Sequence, residues 1–255
     1  MDITVVIPTP TIPESLGLGG AKPSHTPREK YPVLYLLHGF GNNHATWSGY
    51  SKVELYAEEC NVAVVMISGE NKAYINHPKE DQFYDFIAWE LPEFVTGMFP
   101  VSDKPEHTYI AGLSMGGFGA LVHALNRPDG FCAFGAFSAA ISFNPAALVD
   151  NGTRDFSRDK MIEANPRFDP RALARNLEIK GGKFPKAYIA CGEEDFLYKE
   201  NVEFVELLSE KGVDVNWVHL PKYQHEWRFW DLQIEAFLDW IPRTDIYAEG
   251  GKRKA

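Results

Sequence analysis

The stretch from Gly112 to Gly117, Gly-Leu-Ser-Met-Gly-Gly, has residue types and spacing that could support nucleophilic catalysis. It fits G-x-S-x-G, the pattern of a nucleophile elbow, in which a serine occupies a sharp turn between a strand and a helix. An apolar run at 108–111 precedes it, and small and apolar residues at 118–125 follow. Glycines flank the serine because a Cβ there would collide with neighbouring elements. The pattern predicts Ser114 as a nucleophile beside a helix N-terminus, whose N–H groups can stabilise an oxyanion.

A histidine must accompany this serine, because a serine hydroxyl is a poor nucleophile without a general base that is itself oriented by an acid. In chains with such an elbow, the acid and then the histidine follow the serine. His219 lies inside the alternating segment Val215–Leu220, which predicts a strand. His225 lies in a polar loop between the last predicted strand and the last predicted helix. Chain order and loop position favour His225 as the general base.

Three consecutive carboxylates, at positions 193–195, compete for the role of the acid directly after a short apolar segment. Asp195 is farthest out on the loop, and this position favours it. Glu193 and Glu194 fit better as a solvated turn or a helix cap. Glu226 and Asp231 lie at the start of the last predicted helix or within it, so they are poorer candidates. We therefore predict Asp195 as the orienting acid.

An oxyanion hole needs two backbone N–H groups, one of which comes from the residue after the nucleophile, Met115. The other comes from the loop that follows the first buried strand, which begins His-Gly-Phe-Gly at position 38. Phe40 is the preferred donor there, with Gly39 and Gly41 as alternatives. His38 precedes the serine in the chain, against the required order, so we expect it to brace this loop by hydrogen bonds.

Short apolar segments alternate with amphipathic ones along the chain, which predicts a mostly parallel sheet with helices on both faces. The strand at 2–7 alternates and is predicted at an edge. In the helix predicted at 83–99, Pro92 is expected to kink or divide the helix. Asn201 is a predicted N-cap and Gly212 a predicted C′ residue. The other predicted strands are Val33–Leu37, 62–67, 131–137, 187–191 and Val215–Leu220, and the other predicted helices are Val53–Cys60, 201–211 and 227–241.

The length of 255 residues fits one large domain or two small ones, and the hydrophobic fraction of 45% is ordinary for a globular protein with a substantial core. We predict a single α/β domain over residues 1–255. The segment 141–184 is polar and carries two Asn/Asp-Pro pairs. This composition predicts a small cap-like insertion over the carboxyl ends of the strands, where ligands of such sheets bind. The segment 10–30, rich in Pro, Gly and Ser, is expected to be a surface connection.

Composition argues against several functional classes. The net charge of −10, without a basic stripe, argues against a nucleic-acid partner. We find neither a signal peptide nor an apolar run of transmembrane length, so we expect a cytoplasmic protein without membrane association. A secreted form whose signal has been removed stays an alternative. The three cysteines are expected to be buried free thiols. No metal-ligand spacing and no dinucleotide or P-loop pattern is present, so no metal or cofactor is expected.

Several segments taken in order resemble the esterase D/S-formylglutathione hydrolase-like group of α/β-hydrolases, and within it most closely the tributyrin esterase-type carboxylesterases. The resemblance implies the α/β-hydrolase fold and a serine esterase for short-chain acyl esters, with a triad of Ser114, Asp195 and His225. It also supports Phe40 and Met115 as oxyanion donors. The segments 10–30 and 68–82 depart from the pattern of the group. The resembling segments are 35–39 with Trp47, 56–59, 90–92, 110–120, 191–197 and 225–227.

The resemblance leaves the acyl group open, because the same group includes feruloyl and acetyl-xylan esterases, mycolyl transferases and S-formylglutathione hydrolases. Trp47, Tyr74 and Trp227 lie around the predicted site loops and could line a substrate cleft for an aryl or sugar group, or belong to the core. The substrate is thus a small-molecule or carbohydrate-linked ester. Relatives in the group suggest a homo-oligomer. A binding protein without catalysis is the other class, but its usual mark, a lost triad member, is not seen.

Overall fold

The computed structural model describes residues 1–9, 16–20, 22, 26–77, 81–142, 166–179 and 184–248. Most of the predicted cap-like insertion at 141–184, and part of the connection at 10–30, lie outside these residues. The prediction of a cap is therefore not tested by the fold described below.

Seven strands in the described residues form one sheet, in the order β1-β3-β2-β4-β5-β6-β7. The first strand lies at an edge and is antiparallel to β3, as predicted, while the other neighbouring pairs are parallel. The carboxyl ends of the parallel strands therefore share one edge of the sheet. The strands are β1 Ile3–Val6, β2 Val33–Leu37, β3 Ala63–Ile67, β4 Thr108–Leu113, β5 Ala133–Phe137, β6 Lys186–Gly192 and β7 Val215–Leu220.

Helices cover both faces of this sheet. They are α1 Thr46–Tyr50, α2 Val53–Cys60, α3 Leu91–Met98, α4 Met115–Asn126, α5 Pro170–Arg175, α6 Tyr198–Glu210 and α7 Trp227–Trp240. Alternate residues of β2 enter two separate cores: Val33, Tyr35 and Leu37 face the core that includes α4 and α6, and Leu34 and Leu36 face the core that includes α2 and α7. Burial on both faces explains why the central strands read as continuous apolar runs.

The helical region predicted at 83–99 runs without a break from Phe83 to Met98, so it is not divided at Pro92. Its hydrogen-bond pattern changes just before the proline: an α-helical turn, Phe83–Asp85, is followed by a π-helical segment, Phe86–Glu90, and Pro92 lies in the first turn of α3. Proline has no N–H to donate to the carbonyl four residues earlier, which belongs to Ala88. The Arg127 guanidinium donates to that Ala88 carbonyl instead. The proline is thus accommodated because a side chain at the end of α4 replaces the missing donor.

The helix ends give one correction and one confirmation. The prediction of Asn201 as an N-cap is wrong, because α6 begins at Tyr198 and Asn201 lies inside it. The Asn201 amide is buried and bonds both the N–H (3.3 Å) and the carbonyl (2.9 Å) of Ala139. Gly212 follows the end of α6 with φ +79°, as expected of a C′ glycine. The side chain of Asn201 thus serves a long-range contact that its local sequence does not reveal.

The cysteines are free, as predicted; Cys60 and Cys191 are buried and Cys132 is half-buried. No helix among the described residues is long and apolar enough to cross a membrane.

Candidate active site

The predicted elbow is present between β4 and α4. Ser114 has φ 52° and ψ −115°, a conformation that non-glycine residues rarely adopt. Three backbone bonds hold it there: its N–H donates to the Phe137 carbonyl (2.9 Å), and its own carbonyl accepts from Phe118 N (3.0 Å) and Ala140 N (3.1 Å). The strained turn is thus fixed by the neighbouring strand β5 and by the chain that follows it.

The flanking glycines are required by close backbone contacts. A Cβ on Gly112 would lie 2.4 Å from the backbone of Gly116, and a Cβ on Gly116 would lie 2.3 Å from the Leu37 carbonyl oxygen. Backbone atoms at such distances cannot move aside as a flexible side chain could. The glycines therefore let the elbow pack directly against the end of β2.

The structure brings Ser114 together with His225 and Asp195, which lie 111 and 81 positions away along the chain. The His225 Nε2 is 3.1 Å from the Ser114 Oγ, and the His225 Nδ1 is 2.9 Å from the Asp195 Oδ2. The Asp195 side chain is completely buried, whereas the His225 side chain keeps 22% of its surface exposed. A carboxylate on Nδ1 holds the proton there and leaves Nε2 to accept a proton from the serine hydroxyl.

Two of the competing carboxylates, Glu193 and Asp231, are engaged elsewhere. Glu193 Oε1 lies 2.7 Å from the Nδ1 of His219, and this pair is solvent-exposed. Asp231 accepts a hydrogen bond from the Lys52 backbone N–H at 2.9 Å. Asp195 has its second oxygen, Oδ1, bonded to the Leu197 N–H at 2.9 Å. That bond fixes the rotation of the carboxyl group, which leaves Oδ2 directed at His225.

The histidine is also held by aromatic contacts that the sequence did not assign to the site. The ring of Trp230 meets the His225 ring edge-on at 4.8 Å, and the exposed ring of Phe196 lies at 4.8 Å on a tilt. The Trp230 Nε1 donates to the Ser138 Oγ at 3.2 Å, which fixes the indole. The sequence indicates a place for Phe196 near the site only because Phe196 directly follows Asp195. No sequence pattern around Ser138 indicates its contact with Trp230.

On the other side of Ser114 lies the loop after β2. A Cβ on Gly39 would lie 3.5 Å from the Ser114 Cβ, so the loop passes directly beside Ser114. The Gly41 N–H donates to the Asn71 Oδ1 at 2.6 Å, which removes Gly41 as an alternative oxyanion donor. Met115 is the first residue of α4, where backbone N–H groups have no acceptor within the helix. Met115 and the Gly39–Phe40 peptide thus flank Ser114.

His38 is placed as the sequence predicted, as a brace of this loop. Its Nε2 accepts from the Gly69 N–H at 2.8 Å, so Nδ1 carries the proton and donates to the Gly39 carbonyl at 2.7 Å. Burial lowers the pKa of His38, partly offset by that bond to Gly39. With both nitrogens bonded to backbone, the ring stays neutral and has no proton to exchange with Ser114.

The aromatic residues predicted to bind substrate occupy different environments. Trp47 and Tyr74 have 0% exposure, so the prediction that they line a cleft is wrong for this structure. The Trp47 Nε1 donates to the Leu37 carbonyl (3.1 Å) and the Tyr74 hydroxyl to the His38 carbonyl (2.8 Å). Both side chains therefore stabilise the carboxyl end of β2 by hydrogen bonds to the backbone there. Trp227 is half-buried and stacks on the exposed Tyr50 ring at 5.2 Å, so it is the one of the three near the surface.

No cluster of three or more His, Cys, Asp or Glu side chains within the described part of the chain could hold a metal ion. The arrangement around Ser114 offers a nucleophile, a base, an orienting acid and backbone donors, which are the components of acyl transfer.

Residues 12–241 match the model of the Esterase family, described as "Putative esterase". The chain belongs to this family. It is 33% identical over 227 residues to an acetyl esterase of Caldicellulosiruptor saccharolyticus, and the match covers 85% of each protein. The expected fold and enzyme class, an α/β-hydrolase that acts as a serine carboxylesterase, are confirmed at this level.

Two solved structures of Staphylococcus aureus proteins are similar to this esterase over most of its length. One is the fluorophosphonate-binding serine hydrolase FphF in a substrate-bound form, with 31% identity and a TM-score of 0.78. The other is the S-formylglutathione hydrolase FrmB as apoenzyme, with 30% identity and a TM-score of 0.76. In both comparisons the match covers 93% of this chain and 91% of the other. The resemblance to S-formylglutathione hydrolase-like esterases is thereby confirmed.

Proposed function

We propose that Ser114, His225 and Asp195 form the catalytic triad of this esterase. The observation that carries the proposal is the continuous line from the Ser114 Oγ through both ring nitrogens of His225 to the Asp195 Oδ2, with separations of 3.1 and 2.9 Å. His225 is the one ring among His38, His219 and His225 that contacts both a serine hydroxyl and a buried carboxylate.

The proposed reaction proceeds in two halves. His225 takes the proton of the Ser114 hydroxyl as Oγ attacks the ester carbonyl, and then gives that proton to the departing alcohol as the tetrahedral intermediate collapses. An acyl-enzyme remains on Ser114. Water then attacks it while His225 removes a proton from the water, and that proton returns to the Ser114 Oγ as the carboxylic acid leaves. Asp195 stabilises the imidazolium in both halves without accepting its proton.

We propose the Met115 and Phe40 N–H groups as the oxyanion hole. Support comes from the position of Met115 at the start of α4 and from the passage of the Gly39–Phe40 loop beside the Ser114 Cβ. The N-terminus of α4 adds positive potential at the same point. Each such donor is worth roughly 2.7–4 kcal/mol of barrier in comparable sites.

Short-chain acyl esters are the proposed substrates, and the similarity to an acetyl esterase supports an acetyl or other small acyl group. A thioester of the S-formylglutathione type is the second candidate, because FrmB, which is described as an S-formylglutathione hydrolase, is similar in structure with a TM-score of 0.76. The same triad serves both leaving groups. We also propose that Trp227 contacts the substrate and that residues 141–184 form a small cap within a single domain. The protein is further proposed to be a cytoplasmic homo-oligomer.

The decisive test compares wild type and Ser114→Ala on p-nitrophenyl acetate, butyrate and octanoate, methyl ferulate and S-formylglutathione. We expect the variant to lose roughly 10⁴- to 10⁶-fold in kcat, because the nucleophile is removed while the fold is kept. The order of wild-type rates then ranks acyl length and leaving group. Activity of Ser114→Ala close to that of wild type would show that another residue is the nucleophile.

A further inference from the structure

A second layer of residues lies behind the loop that carries the proposed oxyanion donor Phe40. Residues 69–74, which we call the bracing loop, touch this loop at three points. The Gly69 N–H donates to the His38 Nε2 (2.8 Å), the Tyr74 hydroxyl donates to the His38 carbonyl (2.8 Å), and Asn71 accepts from the Gly41 N–H (2.6 Å). Donors and acceptors thus hold the oxyanion loop from His38 to Gly41.

The bracing loop has a backbone that would not persist without such contacts. Glu70, Asn71, Ala73 and Tyr74 all have positive φ, between 47° and 62°. Positive φ is tolerated by asparagine but is unfavourable for the others, and a bulky tyrosine at φ 62° is an outlier. Strain of this kind survives where surrounding structure fixes it, and it gathers at functional sites.

His123 ties the bracing loop to the helix that follows the nucleophile. This side chain on α4 is completely buried, and its Nε2 lies 3.1 Å from the Tyr74 carbonyl. Its Nδ1 is the one buried side-chain polar atom in the described residues without a hydrogen-bond partner. Tyr84 stacks on the ring at 4.5 Å and restricts its rotation. A buried Nδ1 without a hydrogen-bond partner is unfavourable for stability. A histidine at this position therefore indicates that the contact between Nε2 and the Tyr74 carbonyl has a function.

The point on which these contacts converge is the Gly39–Phe40 peptide. The Gly39 carbonyl accepts from the His38 Nδ1 (2.7 Å) and from the Asn42 N–H (3.3 Å). In a planar trans peptide the carbonyl and the N–H point in opposite directions. A fixed Gly39 carbonyl therefore fixes the direction of the Phe40 N–H.

We infer that Tyr74, His123 and Asn71 are positioning residues that aim the Phe40 N–H at the developing oxyanion. They act through His38 and the backbone of the oxyanion loop, and none of them touches substrate. The inference rests on the proposed function, because it assumes that Ser114 is the nucleophile and Phe40 an oxyanion donor. It assigns a function to the strain of the bracing loop and to the buried histidine on α4.

Tyr74→Phe tests the inference, because it removes one hydroxyl and keeps the ring. The matched control is Tyr109→Phe, which removes a hydroxyl that donates to another backbone carbonyl, that of Pro242, at 2.7 Å. Each variant is assayed with p-nitrophenyl acetate and with the thionoester that has sulfur in place of the carbonyl oxygen. Sulfur is a weak acceptor, so misdirected oxyanion donors penalise the oxoester more than the thionoester, whereas a damaged triad slows both.

We expect Tyr74→Phe to lower kcat for the oxoester by roughly 10- to 100-fold with KM unchanged, less than the roughly 10²- to 10³-fold loss of a whole donor. The ratio of oxoester to thionoester rates should fall with it, while Tyr109→Phe keeps both rates. Asn71→Gly, a half-buried site where glycine keeps the left-handed backbone, should lower the same ratio and covers the case that Tyr74→Phe fails to fold.

An unchanged rate ratio in Tyr74→Phe and Asn71→Gly would overturn the inference. It would leave the proposed function intact if Ser114→Ala is inactive. Retained activity in Ser114→Ala, in contrast, would remove the proposed function itself, whatever the behaviour of Tyr74.

Discussion

The two sides of Ser114 each present a histidine, and the two histidines differ in almost every physical respect. His225 stands on a loop after β7, keeps 22% of its side chain exposed, and bonds a hydroxyl and a carboxylate. His38 follows β2, is 1% exposed, and bonds two backbone groups. In the proposed mechanism His225 takes up and releases a proton, whereas His38 is held neutral. Under that proposal, surroundings rather than residue type divide the work between a chemical side and a rigid side.

The largest expected effect tests the chemical side. His225→Ala should lower kcat by roughly 10⁴- to 10⁶-fold, because His225 is the base that contacts the Ser114 Oγ within the described part of the chain. Added imidazole should restore part of the activity, since the site of the missing ring is open to solvent. His38→Ala should lower kcat by roughly 10- to 100-fold through a misplaced loop, without rescue by imidazole. Steady-state kinetics with and without imidazole measure both. Equal losses in the two variants, or rescue of His38→Ala, would contradict the division.

The next effect concerns the packing of the elbow against the rigid side, which carries His38. Gly116→Ala would place a Cβ 2.3 Å from the Leu37 carbonyl oxygen and 2.7 Å from that of His38. Neither atom can yield without moving the end of β2, so we expect a loss of at least about 3 kcal/mol in unfolding free energy. The control, Gly212→Ala, has φ +79° but no atom within 4 Å of the new Cβ. It should cost about 1–2 kcal/mol. Urea unfolding measures both, and similar losses would disprove tight packing at the elbow.

The smallest effect is the pH dependence of stability on the rigid side. Burial lowers the pKa of His123 from 6.5 to about 3. The folded state therefore binds fewer protons than the unfolded state between these values, so this contribution is complete above pH 6.5 and declines as the pH falls. At pH 5 the decline amounts to about 2 kcal/mol, since each pH unit is worth about 1.4 kcal/mol.

His123→Gln should remove this dependence, because glutamine does not titrate. Urea unfolding at several values between pH 5 and 7 should show a slope that is smaller in the variant by about one proton near pH 5 and by about a quarter of a proton at pH 7. Tyr109→Phe serves as the control, which shifts the curve without a change in its slope. The same slope in His123→Gln as in wild type would mean that His123 titrates alike in the folded and unfolded chains.

The sequence predicted the parts of the fold that depend on local pattern. Val33–Leu37, Val53–Cys60 and Val215–Leu220 have the predicted bounds. Their sequences show this directly, because Val33–Leu37 is a continuous apolar run and the other two have periodic apolar residues. The cap of α6 was misplaced, because Asn201 is a common N-cap residue whose amide instead binds Ala139 in another element. The donor to the Ala88 carbonyl, which Pro92 cannot serve, likewise comes from Arg127, 35 positions beyond the proline.

The residues predicted for the site also fall into two groups: those that a sequence motif identifies, and those whose environment depends on packing. Ser114, Asp195 and His225 could be singled out because a turn motif and a fixed chain order restrict each choice. Trp47 and Tyr74 could not be placed, because an aromatic residue in a loop can face either the cleft or the core. Their complete burial follows from packing against the end of β2.

The sequence by itself determined the esterase class, the elbow at Ser114 and the candidates for its partners, because strained turns and strand–helix alternation demand particular residues at particular spacings. The tertiary structure alone decided that Glu193 faces His219, that the Gly41 N–H is bonded to Asn71, and that Tyr74 and His123 stand behind the oxyanion loop. Contacts of this kind join residues many positions apart. They depend on how whole elements pack, which no local pattern encodes.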